Sequence, residues 1–356
     1  MSKGTVLVAM SGGVDSSVAA CLLLERGYEV VGSHMRLVHL DGVEHGCCGP
    51  AARNDAAEVA RIAGFPFEIC DLSDEFERTV IRDFVAEHEA GRTPNPCARC
   101  NGEIKFGAFL RRADELGIDA VATGHYVRTD RSGGRLRLLR GADREKDQSY
   151  MLHMLGQREL SRSRFPVGAM AKAETRAAAE GYGLPVASKP DSQELCFAPS
   201  GEAGAYLASA APYLVRDGEV VDTDGRVLAH HAGSAGFTVG QRRGLGVSGP
   251  EPSYVLEIDA RANRVVVGPG ELLARPGAIA DRVSWVAGEP SSPGPFEAEV
   301  RIRYRGDDVP SVVEPLGDGV RIEFGTPQRG VAPGQSAVVY RGEELLGGGR
   351  IVDTLR

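Results

Sequence analysis

The sequence predicts an α/β doubly wound parallel sheet, followed by a small β-rich central domain and a C-terminal β-barrel. Three observations carry that prediction. Short β-rich runs alternate with helix-like stretches up to about residue 125, the pattern of successive βαβ units. After roughly residue 205 the chain changes to short strands separated by Gly, Pro and Asp turns. From residue 296 the tail alternates apolar and polar residues almost throughout, as a small closed barrel does. At 356 residues the chain is also too long for one ordinary core. The expected domains are 1–205, 206–272 and 273–356.

Each element has its own justification. TVLVAM (5–10) reads as a strand, and SSVAACLLLERG as a helix closed by glycine. YEVVGSHMRL is the second strand, AARNDAAEVARIAG an amphipathic helix, and FPFEICDL the third strand. DEFERTVIRDFVAEHEAG is helical, TPNPCARC reads as a loop, NGEIKFGAFLRRADELG as the next helix and IDAVATGHY as a strand. Residues 127–142 suggest a hairpin with a Ser-Gly-Gly turn. In the tail, VRIRYR reads as a strand with Arg301, Arg303 and Arg305 on one face. Doubly wound sheets bind ligands beyond the carboxyl ends of their strands. SGGVDS, HMR, TPNPCARC and ATGHY all fall at those ends.

Composition narrows the function. With 42% hydrophobic and 25% charged residues the chain reads as soluble and globular. No apolar run approaches the ~18–20 residues of a membrane helix, and the N-terminus lacks a signal-peptide layout. Both point to the cytoplasm and away from a membrane. The seven cysteines (Cys21, Cys47, Cys48, Cys70, Cys97, Cys100, Cys196) are an odd number, which argues against a disulfide framework. A net charge of −8 leaves nucleic-acid binding to local patches. Residues 128–146 offer one, with seven basic groups against three acidic (7 − 3 = +4). Only five of the 41 basic residues are lysines, which draws attention to Lys105 and Lys146.

AMSGGVDSS (9–17), between a strand and a helix, is suited to phosphate: glycines admit close approach and helix N-terminal amides favour anions. It is neither a Walker A loop nor G-x-G-x-x-G. Ser11, Ser16 and Ser17 can donate hydroxyls, and Asp15 can help hold Mg²⁺. His125 lines a pocket or is a structural histidine. Cys21 and Cys70 read as core, and Cys47-Cys48 as a loop without chemistry. Cys97-x-x-Cys100 stays open between half a metal site, a redox pair, and one working cysteine beside a bystander.

SGGVDS, TPNPCARCNGEIKFG, ATGHYVR, KDQSYML and PDSQELCF, read in order, resemble the bacterial tRNA-uridine 2-sulfurtransferases (tRNA-specific 2-thiouridylases) of the PP-loop ATP pyrophosphatase superfamily. GFTVGQRRGLG, RIRYR and APGQSAVVY extend the resemblance over nearly the whole chain. It implies an enzyme that adenylates the C2 oxygen of the anticodon wobble uridine and replaces it with sulfur. By resemblance, Cys100 is the nucleophile, Cys196 carries the persulfide, and the two form a transient disulfide. ATP, with Mg²⁺, would contact Ala9, Met10, Ser11, Gly12, Gly13, Val14, Asp15, Ser16, Met35 and Gly124. Asn95, Pro96 and Cys97 fall where the target base is held. His125, Lys146, Asp147, Gln148, Arg303, Tyr304 and Gln335 match positions touching tRNA, and Arg305 joins them as part of the basic run. The implied partners are tRNA and a sulfur-donor protein carrying a persulfide, with the chain a monomer.

One departure stands out. The family often has an acidic residue where this chain has Cys97, and a thiol cannot copy a carboxylate ionised at neutral pH. A minority reading has Cys97, Cys100 and Cys196 hold an iron–sulfur cluster, or zinc. Two further alternatives are an amide-forming synthetase using the same loop, and a non-catalytic cysteine protein that binds metal or carries sulfur.

Overall fold

The computed structural model describes residues 2–38, 49–191, 195–198, 203–249 and 251–356. Cys47 and Cys48 lie outside the described residues. Strands β1 (Thr5–Ala9), β2 (Glu29–Arg36), β3 (Phe67–Asp71) and β4 (Ala120–Ala122) are followed by the hairpin strands β5 (Val127–Ser132) and β6 (Arg135–Arg140), and by β7 (Ser163–Arg164). β1 to β4 and β7 form a parallel sheet in the order β3-β2-β1-β4-β7, so the winding reverses at β1. β1 shows why a central strand reads as a continuous apolar run. Val6 and Val8 enter one core with Val18, Ala19 and Val59, while Leu7 and Ala9 face a second core with Phe106 and Phe109. Helix α1 (Val14–Glu25) follows β1, and α2 (Pro50–Ala63) packs beside it.

One helix starts earlier than the sequence suggested. TPNPCARC is not wholly loop: a helix begins at Pro96 and runs through Cys100 into a π-helical stretch, Asn101–Ala108, and on to Glu115. The Asn95 carboxamide oxygen accepts the Ala98 N–H at 3.1 Å, and Pro96 takes the first helical position. Asn-Pro is therefore a cap followed by a residue whose missing N–H costs nothing there.

The hairpin forms as expected, with Gly133 (φ 58°) and Gly134 (φ 81°) supplying the left-handed turn. The central domain pairs β8 (Gly218–Val221), β9 (Val227–His231), β10 (Ser253–Asp259) and β11 (Arg264–Pro269) in the order β10-β11-β8-β9. β12 (Ala274–Trp285), β13 (Phe296–Arg301), β14 (Val309–Leu316), β15 (Gly319–Arg329), β16 (Ser336–Arg341) and β17 (Glu344–Leu355) close into a six-stranded barrel through the β12–β17 pairing. Ala278, Val300, Val313, Ile322 and Ile351 fill it. β6 pairs with β17 (Leu138 opposite Leu345), which stitches the hairpin of the first domain onto the barrel.

VRIRYR departs from expectation. β13 ends at Arg301 and the chain turns, the Gly306 N–H reaching the Arg303 carbonyl at 3.0 Å. Arg301 does not share an outer face with Arg303 and Arg305. Its guanidinium is held inward by Asp308 at 2.9 and 3.1 Å and lies 5.5 Å from the Tyr340 ring. Among the described residues, no helix is long and apolar enough to cross a membrane.

Candidate active site

The glycine loop leaves β1 at its carboxyl end and enters α1 at Val14, beside the end of β4. Ala9 and Met10 are buried, Ser11 is exposed and Asp15 half-buried. Gly12 has φ +69°, and a Cβ there would stand 2.0 Å from the Ala52 carbonyl oxygen. Glycine is required both by conformation and by the approach of α2. Inside the loop the Ser16 hydroxyl accepts the Ser11 N–H at 3.2 Å and donates to the Gly13 carbonyl at 3.2 Å. Gly124 closes the other side, with room for no Cβ: that atom would fall 2.6 Å from the Ser16 nitrogen. Met35, on β2, is half-buried and packs against two of the apolar clusters.

Asp15 accepts the Tyr126 hydroxyl at 2.7 Å and the Lys172 ammonium at 2.7 and 2.8 Å. Burial raises the Tyr126 phenol, keeping it a donor. Lys172 also pairs with Asp191 at 2.8 Å, as do Lys146 at 3.0 Å and Arg176 at 3.3 Å. Lys189 spans Asp55 at 2.6 Å and the Gly12 carbonyl at 2.9 Å. The sequence reading passed over Lys172 and Lys189. The available signal was their rarity, since three of five lysines gather here in a chain that otherwise uses arginine.

His125 is buried, its Nδ1 2.8 Å from the Thr123 hydroxyl. Burial, and then the charge of Lys105, hold its pKa well below the ordinary imidazole value, so the ring is neutral at physiological pH.

The three cysteines of interest occupy different settings. Cys97 is exposed at the second helical position, whereas Cys100, one turn later, is buried (7% exposed). Cys196 is half-buried. Cys100 belongs to an apolar cluster with Phe76, Phe84, Ile104 and Phe197, and Cys196, 96 positions away in sequence, packs against that cluster. A helix terminus acts mainly on its first turn, and the helix starts before Cys97. Cys97, rather than Cys100, therefore sits nearest the favourable field. Among the described residues no group of three or more His, Cys, Asp or Glu side chains is arranged to hold a metal ion. Cys21 and Cys70 are core thiols, each pushed up to about 11 by burial.

The 93–97 segment rests on the barrel. The Thr93 N–H donates to the Pro333 carbonyl at 2.8 Å, and the Gln335 amide donates to Thr93 and Pro94 carbonyls at 2.8 and 3.3 Å. Gln335 thus props the loop from beneath. Gln335→Ala should raise the KM for a substrate gripped by that loop by about three- to tenfold, roughly one net hydrogen bond, with ATP affinity unchanged in a binding titration. Asn95 and buried Pro96 start the helix, as described.

Of Lys146, Asp147 and Gln148, Asp147 is buried, while Lys146 (side chain 36% exposed) and Gln148 are half-buried. Asp147 turns inward because its carboxylate accepts the Gly141 and Ser149 N–H groups and the Ser149 hydroxyl. The Gln148 side-chain oxygen accepts the Tyr126 N–H at 2.9 Å. Arg303 and Arg305 are exposed, and Tyr304 is half-buried, 6.2 Å from the Tyr150 ring. The basic stretch 128–146 is not a bare patch. Glu343 pairs with both Arg128 and Arg144, Asp130 with Arg137, and Arg140 lies buried on Tyr340 with Asp308 at 2.9 Å.

Over 361 aligned residues the chain is 47% identical to a Geobacter metallireducens protein named tRNA-specific 2-thiouridylase MnmA, covering 98% of this chain and 97% of that protein. The chain belongs to the tRNA-specific 2-thiouridylase family. Members from Acidothermus cellulolyticus (47% over 363 residues, 99% and 98% covered) and Acidithiobacillus ferrooxidans (46% over 357 residues, 99% and 100% covered) match equally well. Three domain families match in chain order. They are the tRNA methyl transferase HUP domain over residues 4–200, its PRC-barrel domain over 207–269, and the aminomethyltransferase beta-barrel domain over 275–351. In this thiouridylase the loop, the cysteine cluster and the 93–97 segment all lie in the HUP-domain portion. Gln335 comes from the barrel portion.

Proposed function

We propose that this thiouridylase uses ATP to activate the C2 oxygen of the wobble uridine in a tRNA anticodon, then exchanges that oxygen for sulfur. The observation that supports the reading is that Cys196 packs against the same apolar cluster that holds Cys100, the last residue of the short helix begun at Pro96. The uridine oxygen attacks the α-phosphorus of ATP at the glycine loop, and pyrophosphate leaves. A persulfide on Cys196, loaded by a persulfide-carrying donor protein, attacks C2 through its terminal sulfur, and AMP departs with the old oxygen. The Cys100 thiolate then attacks the Cys196 Sγ, releasing 2-thiouridine and leaving a Cys100–Cys196 disulfide. A two-electron thiol reductant of the cytoplasm resets it. Cys97 is a bystander beside the base. The units 1–205, 206–272 and 273–356 divide the work into chemistry and tRNA support, within a monomer.

Adenylation needs Mg²⁺ with ATP, to screen the phosphate charge. Asp15, the carboxylate of the glycine loop, would hold such an ion in exchange for its present partner, the Lys172 ammonium at 2.7 Å.

The test supplies ATP, Mg²⁺, unmodified tRNA and a persulfide donor, and measures 2-thiouridine and pyrophosphate. Pyrophosphate release only with tRNA carrying a wobble uridine supports the reading. Release with a small-molecule amine and no tRNA favours a synthetase instead. Arg303 and Arg305 serve tRNA by their exposed charge. Reversing both to Glu should weaken tRNA binding about tenfold or more and lower the salt slope by roughly two, with ATP binding intact. An unchanged tRNA affinity would remove them from the interface.

A further inference from the structure

Asp191 has an unusual number of cationic partners. Its carboxylate takes Lys172 at 2.8 Å and Arg176 at 3.3 Å on one oxygen, and Lys146 at 3.0 Å on the other. Lys172 is only 11% exposed and is shared between Asp191 and Asp15 of the glycine loop. Lys189 reaches the same loop through the Gly12 carbonyl at 2.9 Å while paired with Asp55. Four cations (Lys146, Lys172, Arg176, Lys189) thus face three carboxylates (Asp15, Asp55, Asp191), a balance of 4 − 3 = +1. The anion that such a cluster suits is a polyphosphate seated on the loop, which brings several negative charges to the same ammonium groups.

We infer that Asp191 is an internal anion occupying the place of the β- and γ-phosphates of ATP, holding Lys172 and Lys146 until the nucleotide displaces it. This rests on the reading that the glycine loop binds ATP. Burial opposes ionisation of Asp191, but hydrogen bonds from Lys172 and Lys146 outweigh it and hold its pKa below the ordinary carboxylate value. The competing charge is therefore present at neutral pH. Competition of this kind has two consequences. AMP, lacking the outer phosphates, cannot displace the carboxylate and gains nothing from the lysines. After adenylation, the return of Asp191 to the lysines helps expel pyrophosphate.

The test is calorimetric titration of ATP, pyrophosphate and AMP into the wild type, Asp191→Asn, Lys172→Met and the double variant, with thermal unfolding as a check on folding. Asp191→Asn should bind ATP and pyrophosphate about tenfold more tightly, within the usual range of coupling between sites, and leave AMP unchanged. Lys172→Met should weaken ATP about tenfold, and most of the gain from Asp191→Asn should vanish in the double variant. If Asp191→Asn binds ATP no better than wild type, or AMP gains as much as ATP, the inference is overturned while the ATP reading stands. A wild type that binds no ATP removes the ATP reading itself, and the inference with it.

Discussion

Cys100→Ser and Cys196→Ser each lower single-turnover thiolation of tRNA by on the order of 1000-fold or more, while Cys97→Ser stays within about threefold of wild type. The size follows from the roles: losing a nucleophile that forms a covalent intermediate costs far more than losing a neighbour. A serine hydroxyl cannot carry a persulfide, and it is a much poorer nucleophile than a thiolate. Cys100 is buried among Phe76, Phe84 and Ile104, so its serine variant also places a hydroxyl in apolar surroundings at roughly 1–3 kcal/mol. Thermal unfolding separates that loss from the chemical one. Adenylation, followed as pyrophosphate release, should survive in Cys196→Ser. If Cys97→Ser is as inactive as the other two, the exposed thiol is no bystander and the division of labour is wrong.

Gly124→Ala should cut pyrophosphate release about 100-fold without changing tRNA affinity. The added Cβ would lie 2.6 Å from the Ser16 nitrogen and 2.7 Å from the Asp15 carbonyl carbon. Both are backbone atoms of the glycine loop and the first turn of α1, so nothing flexible can yield. Displacing a binding loop by about an ångström costs on the order of 100-fold in rate, and overpacking adds roughly 1–3 kcal/mol of instability. Gly181→Ala is the control: no atom lies within 4 Å of where its Cβ would stand, and alanine suits a helix better than glycine. Equal pyrophosphate release from Gly124→Ala and Gly181→Ala would show that the tight approach to the loop does not matter for ATP.

Local features were readable in the sequence. β1 to β4 are apolar runs bounded by turns, and Gly133-Gly134 supplies the two left-handed residues a short hairpin needs. The glycine loop was legible for the same reason, being a strand, a turn and a helix start within a few positions. Features made by distant partners were not. The basic stretch 128–146 carries a local surplus, but Glu343 and Asp308 arrive from the far end of the chain to neutralise much of it. Arg301 looked outward by strand alternation, yet β13 stops there and Asp308 draws it in. The early start of the Pro96 helix was present in Asn95-Pro96, a cap followed by proline, but the turn character of TPNP masked it. Cys100 and Cys196 came from the family resemblance; no spacing rule brings together residues 96 positions apart.

The most direct measurement is a reductant-free single turnover on unmodified tRNA, using metal-free enzyme loaded with persulfide on Cys196 and supplied with ATP and Mg²⁺. Nucleoside analysis and peptide mass spectrometry are read on the same sample. The account predicts one 2-thiouridine per loaded enzyme together with a disulfide joining the Cys100 and Cys196 peptides. Thiouridine formed without that disulfide, or activity that appears only after iron–sulfur reconstitution, would contradict it.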